Sequence, residues 1–81
     1  MSLRVLFFAS LADVVGSRDA ELDASSYPDV DSIFSRFEKE YPKLADYRAT
    51  IMYAVNSEYA TPGTPVKDGD EIAFLPPVSG G

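Results

Sequence analysis

Apolar and polar positions divide the chain into segments of two different periods. Residues 4–9, Arg4-Val5-Leu6-Phe7-Phe8-Ala9, are rich in β-branched and aromatic side chains and predict a strand. Strand side chains alternate between faces, so Leu3, Val5 and Phe7 share one face while Arg4, Leu6 and Phe8 share the other. Ser10 to Gly16 predicts a turn or short helix ended by Gly16. From Arg18 to Asp23, Ala20 and Leu22 alternate with Asp19, Glu21 and Asp23, the pattern of a half-exposed second strand. The period then lengthens. Val30, Ile33, Phe34, Phe37 and Tyr41 form one apolar stripe of an α-helix, with Asp31, Ser35, Arg36, Glu38 and Lys39 on the wet side. Asp29 is placed to cap its start, Asp31 suits the helix dipole, and Pro42 stops it at Tyr41.

Ile51 to Asn56 predicts a third strand, Glu58-Tyr59-Ala60 a short edge piece, and residues 61–65 a loop. Lys67-Asp68-Gly69-Asp70 reads as a turn with Gly69 free to take positive φ. The last strand is Glu71 to Leu75, with Ile72 and Phe74 on one face and Glu71, Ala73 and Leu75 on the other. The order is β-β-α-β-β with a possible extra short strand, and the economical way to bury the stripe is a helix laid across one face of a small mixed sheet. The fold class expected is therefore α+β, in one domain over residues 1–75 with a tail over residues 76–81. The segment between the helix and Ala49 carries no readable pattern.

Composition narrows the chemistry. The chain has 81 residues, enough for one modest core and no large enclosed active-site cavity. With 7 basic and 13 acidic residues its formal net charge is −6, which disfavours nucleic acid and anionic membrane as ligands and suits a basic protein partner. No apolar run approaches the ~20 residues of a membrane span, and no signal-peptide pattern precedes residues 5–9, so a cytoplasmic protein is expected. Cys and His are both absent, which removes thiolate nucleophiles, imidazole catalysis and zinc sites of the usual kind. The acids Asp29/Asp31 and Asp68/Asp70/Glu71 are explained by capping and turn formation, so no metal site is expected.

The candidate site is at the C-terminal end of the sequence. Pro76 and Pro77 cannot continue a ladder and impose a stiff extended lead. Val78, Ser79, Gly80 and Gly81 follow, a thin tip whose terminal carboxylate could enter a channel too narrow for other residues. Arg4 and Glu71 mark the solvent side of the first and last strands, which places Leu6, Phe8 and Leu75 on that same side. With Tyr59 they read as an apolar docking patch near the start of the tail.

Residues 4–9, Ala54-Val55-Asn56, and Asp68-Gly69-Asp70-Glu71 leading to Pro76-Pro77-Val78-Ser79-Gly80-Gly81 resemble the small, sulfur-carrying subunit of molybdopterin synthase, over essentially the whole chain. The resemblance implies a β-grasp, ubiquitin-like fold. It also implies that the Gly81 carboxylate is adenylated with ATP by a ubiquitin-activating-enzyme-like adenylyltransferase and then converted to a thiocarboxylate. The tail would enter the large catalytic subunit of the synthase and donate sulfur to a pyranopterin precursor, within a heterotetramer of two copies of each subunit. The chain itself would be a non-catalytic sulfur donor with no bound cofactor, ATP being used by the activating partner. A chain without Cys can carry sulfur covalently only at an acyl group, which fits. Other readings of the same end are a ubiquitin-like modifier that forms isopeptide bonds, a sulfur carrier for thiamine or tRNA thiolation, and a plain interaction module.

Overall fold

A computed structural model of the chain describes residues 2–77. The elements follow in the order β1 (Ser2–Phe7), α1 (Ser10–Val15), β2 (Asp19–Asp23), a 3₁₀ turn (Ala24–Ser26), α2 (Val30–Glu40) and a 3₁₀ segment (Pro42–Tyr47). Then come β3 (Met52–Val55), β4 (Glu58–Ala60) and β5 (Glu71–Leu75). The strands form one mixed sheet in the order β2-β1-β5-β3-β4. Among the described residues only β1 and β5 pair in parallel, with Arg4 opposite Glu71 and Phe7 opposite Phe74; the other neighbours are antiparallel.

The expected helix is α2. Asp29 Oδ1 accepts from the Ser32 amide at 2.9 Å while the Ser32 hydroxyl accepts from the Asp29 amide at 3.3 Å, a reciprocal cap that satisfies two otherwise orphaned donors. Val30, Ile33, Phe34 and Phe37 are buried against Leu3, Val5 and Phe7 of β1, Ile72 and Phe74 of β5, and Tyr53 of β3. Aromatic rings meet edge to face, Phe7 on Phe37 at 4.9 Å and Phe34 on Phe74 at 5.4 Å between centroids, the arrangement that the ring quadrupole favours. Tyr41 ends the stripe half-buried at the helix C-cap.

Several boundaries differ from the pattern-based ones. Arg18 precedes β2 and contributes only its carbonyl, which accepts from the Phe7 amide at 2.9 Å. Ile51 lies before β3, buried, and Asn56 lies after it. Asn56 and Ser57, at φ 52° and 70°, make the two-residue turn into β4. Both positive φ values match the type I′ turn that suits the twist of a hairpin, and asparagine tolerates that region well. The unread segment is the 3₁₀ stretch Pro42–Tyr47, whose Leu44 is buried, and Arg48 just after it. Arg48 reaches back to α2: Nη1 donates to Asp31 at 2.7 Å, Nη2 to Glu38 at 2.9 Å and to the Ser35 hydroxyl at 3.0 Å, and Nε to Glu38 at 3.2 Å. Its guanidinium carbon stands 4.8 Å from the Phe34 ring centroid. Asp31 and Glu38 are therefore half-covered rather than fully wet.

Candidate functional site

The face of the sheet away from α2 is open. Register builds it row by row: Leu6 of β1 lies opposite Ala73 of β5, Ala73 opposite Ala54 of β3, and Ala54 opposite Tyr59 of β4. Directly paired residues share a face, so this row runs across four strands on one side. Leu75 lies on the same side beside Met52, and Phe8 follows β1 with its amide bonded to the Phe74 carbonyl at 3.2 Å. The result is a shallow groove of about 240 Å³ lined by Leu6, Phe8, Ala54, Tyr59, Ala73 and Leu75, with Ser57 and Glu71 at its rim. Leu6 and Leu75 are half-buried, while Phe8 is 44% and Tyr59 81% exposed. The four apolar residues named from the sequence thus line one concavity. Ala54 and Ala73 between them are small, which leaves the groove its depth.

The rim is fixed by a polar knot. The Asp70 carboxylate accepts from the Asn56 side-chain amide at 2.9 Å and from the Lys67 backbone at 2.9 Å, and the Asn56 oxygen accepts from the Glu71 amide at 3.0 Å. The Asn56 hydrogen bond, with smaller help from Lys67, holds the Asp70 carboxyl below the usual carboxylate range even though burial opposes it. Gly69, at φ 88°, takes the left-handed backbone that turns its amide onto the Ser2 carbonyl at 3.0 Å. This knot joins the β3–β4 turn to the start of β5 and so holds Tyr59 in the row that runs through Ala54 and Ala73 to Leu6. Alternation along single strands shows Leu6, Phe8 and Leu75, but Asn56 and Ser57 enter the site only through pairing between strands. The Asn-Ser turn dipeptide was the available signal.

The acids considered as metal ligands have structural partners: Asp29 caps α2, Asp31 binds Arg48, and Asp68 accepts from the Ser2 amide at 2.8 Å. Pro76 is half-buried and Pro77 exposed at the end of β5; Val78, Ser79, Gly80 and Gly81 lie outside the described residues. Among the described residues no helix is long and apolar enough to cross a membrane.

Known proteins place this geometry. A Caenorhabditis elegans molybdopterin synthase sulfur carrier subunit is 36% identical over 83 residues, covering 100% of this chain and 99% of that one. The crystal structure of SAMP1 from Haloferax volcanii superposes with a TM-score of 0.80 at 32% identity, covering 100% of both chains. A chain from a Helicobacter pylori protein–protein complex of subunits 1 and 2 of molybdopterin-converting factor matches with a TM-score of 0.68 at 27% identity, again covering 100% of both. These neighbours share the ubiquitin-like β-grasp fold. The profile of the ThiS family matches residues 5–81, and the chain belongs to that family, alongside the molybdopterin synthase sulfur carrier subunits.

Proposed function

We propose that this chain is the sulfur-carrying small subunit of a cytoplasmic molybdopterin synthase, bound through its open sheet face to the large catalytic subunit. The carrying observation is the apolar groove of Leu6, Phe8, Tyr59 and Leu75, which lies beside the end of β5, where the sequence runs on to Gly81. The complex of two subunits from Helicobacter pylori, one of whose chains is similar to this chain in fold and sequence, supports a pairing of this kind.

The reacting group in this function is the Gly81 carboxylate. A carboxylate is a poor electrophile until one oxygen becomes a leaving group. In a ubiquitin-activating-enzyme-like adenylyltransferase that oxygen attacks the α-phosphorus of ATP, pyrophosphate departs, and an acyl adenylate forms. A sulfur donor at the oxidation level of sulfide adds to the acyl carbon and AMP leaves, giving the thiocarboxylate. Pro76 and Pro77 then lead Val78, Ser79, Gly80 and Gly81 into the large subunit, where the sulfur passes to a pyranopterin precursor. Two copies of each subunit make the working complex. The test is intact mass after incubation with the activating enzyme, ATP and a sulfur donor. The expected product is heavier by the exchange of one oxygen for sulfur, and loses that sulfur when the large subunit and precursor are added. An unchanged mass would reject the carrier role.

The 32% identity to SAMP1, a small archaeal modifier protein, favours one second reading, in which Gly81 forms isopeptide bonds with lysines of other proteins. Covalent adducts that survive strong thiol reductant, found in the same incubation with lysine-bearing acceptors, would select it.

A further inference from the structure

Between the buried Phe7 and the buried Leu11 the chain must reverse within three residues. At the near end, the Phe8 amide is tied to the Phe74 carbonyl of β5 at 3.2 Å, and Phe7 is wedged between Phe37 and Phe74. At the far end, Leu11, the second residue of α1, is fully buried. The reversal is a four-residue turn, Phe8 to Leu11, closed by the Leu11 amide on the Phe8 carbonyl at 3.1 Å. Its first central residue, Ala9, sits at φ 51°, ψ −127°. That is the type II′ position dominated by glycine, because an L side chain there is crowded by its own backbone. Ala9 is exposed, so its methyl makes no core contact to offset the strain. Asn56 and Ser57 also have positive φ, but they are the central pair of a two-residue hairpin turn, where positive φ is the rule.

Strain of this sort persists only where the surroundings over-determine the backbone, and both ends of this turn are so fixed. The side chain it presents is Phe8, which forms a ridge between two grooves. One is the apolar groove described above. The other is lined by Arg4, Leu6, Ala9, Ser10 and Arg18 on the α1 and β2 side. Glycine at residue 9 would make the same turn without strain but would also allow many neighbouring backbone angles. Alanine, once forced to positive φ, has a narrow well. We propose that Ala9 is a positioning residue, held in a strained turn that fixes the exposed Phe8 ring as the ridge on which the partner docks. This rests on the docking role given to the open sheet face.

Four versions of the full chain test it by titration against the purified large synthase subunit and by thermal melting. They are wild type, Ala9→Gly, a chemically synthesised chain with D-alanine at residue 9, and Phe8→Ala. D-alanine prefers positive φ and keeps a narrow well, so it removes strain without adding freedom. The expected result for Ala9→Gly is a higher Tm with Kd weakened about three- to tenfold, from the extra ordering at docking. D-alanine should also raise Tm but leave Kd within about twofold of wild type. Undiminished affinity of Ala9→Gly, or a fall in its Tm, would overturn the positioning role while a weakened Phe8→Ala kept the docking face intact. Full affinity of Phe8→Ala would overturn the docking face itself, and with it this role of Ala9.

Discussion

Arg48 has the densest set of polar contacts among the described side chains, and no local pattern announces it. Its partners Glu38 and Asp31 lie 10 and 17 residues back, so the fork forms only when the 3₁₀ segment turns the chain over α2. The carboxylates of Glu38 and Asp31 raise the affinity of the guanidinium for its proton, and the planar group also stacks over Phe34. With 37% of its side chain exposed, the network is worth only a modest amount. Arg48→Ala should lower stability by ~1–2 kcal/mol in urea denaturation, with the difference shrinking in molar salt. Arg48→Lys should recover less than half of the loss, because an ammonium cannot bind two carboxylates and stack at once. Equal stability of Arg48→Lys and wild type would show that the fork contributes nothing. Carboxylates set the acid limit. Asp70 is held below its ordinary range by Asn56, Asp23 by Ser25, and Glu40 by Arg36. A carboxyl with a lowered folded pKa contributes stability above its unfolded pKa, and that contribution is lost as pH falls through the folded value. The chain has no His, so Tm should be flat from about pH 5 to 8 and fall below about pH 4. Asp70→Asn should shallow that acid limb, and a sloping Tm at neutral pH would contradict the assignment.

Among the elements, α2 is the one whose removal undoes the fold, and it was also the most legible. Its stripe repeats at helical spacing, and its cap is a short-range signal, so neither depends on the rest of the chain. Asp29→Ala should cost ~0.5–2 kcal/mol by breaking the reciprocal cap. Phe37→Ala should cost ~3–5 kcal/mol, since Phe37 is 5% exposed and its ring meets Phe7 edge to face. Chemical denaturation of the two variants separates an end effect from a core effect; a stable Phe37→Ala would mean that α2 is docked by something else. Strand β5 was equally plain, because its alternation of Ile72 and Phe74 with Glu71, Ala73 and Leu75 is complete within five residues. The 3₁₀ segment Pro42–Tyr47 escaped because short 3₁₀ pieces show neither the helical nor the strand period. Strand order escaped for another reason. The parallel pairing of β1 with β5 joins opposite ends of the sequence, and alternation in one strand says which face a residue occupies, not which strand lies beside it. Leu6, Phe8 and Leu75 could thus be assigned to one face and Tyr59 added to their patch, whereas the pairing of Tyr59 with Ala54 and the Asn56 knot needed the register.

At the scale of the whole molecule, the core lies on one face of the sheet and the groove proposed for docking on the other, which lets three kinds of variant be told apart. Deleting Gly81, or adding one bulky residue after it, should abolish sulfur transfer and leave thermal stability nearly unchanged, because the buried core is built from residues Leu3 to Phe74. Full activity of the extended chain would reject Gly81 as the reacting residue. Phe8→Ala should weaken binding to the large subunit by ~1–3 kcal/mol, as an anchor does. With Phe8 44% exposed, its loss should cost the free domain well under the ~3–5 kcal/mol of a core phenylalanine. A large stability loss with unaltered affinity would put Phe8 on the folding side instead. The core variant behaves differently from both. A domain of 81 residues has only ~4–12 kcal/mol in hand. A loss of ~3–5 kcal/mol therefore leaves Phe37→Ala appreciably unfolded where the wild-type value is near the low end of that range, and a modest urea concentration brings the variant to the same point otherwise. Its folded fraction keeps the apolar groove and Gly81. Excess large subunit binds only that fraction and pulls the population toward it. Sulfur transfer by Phe37→Ala should therefore be low at equimolar partner and rise toward the wild-type value as the partner is increased, with circular dichroism tracking the recovery. Gly81 deletion should show no recovery at any partner concentration, because the reacting carboxylate would no longer be in place. If partner excess failed to rescue Phe37→Ala while still binding it, the helix face would take part in transfer itself, and the division of labour between the two faces would fall.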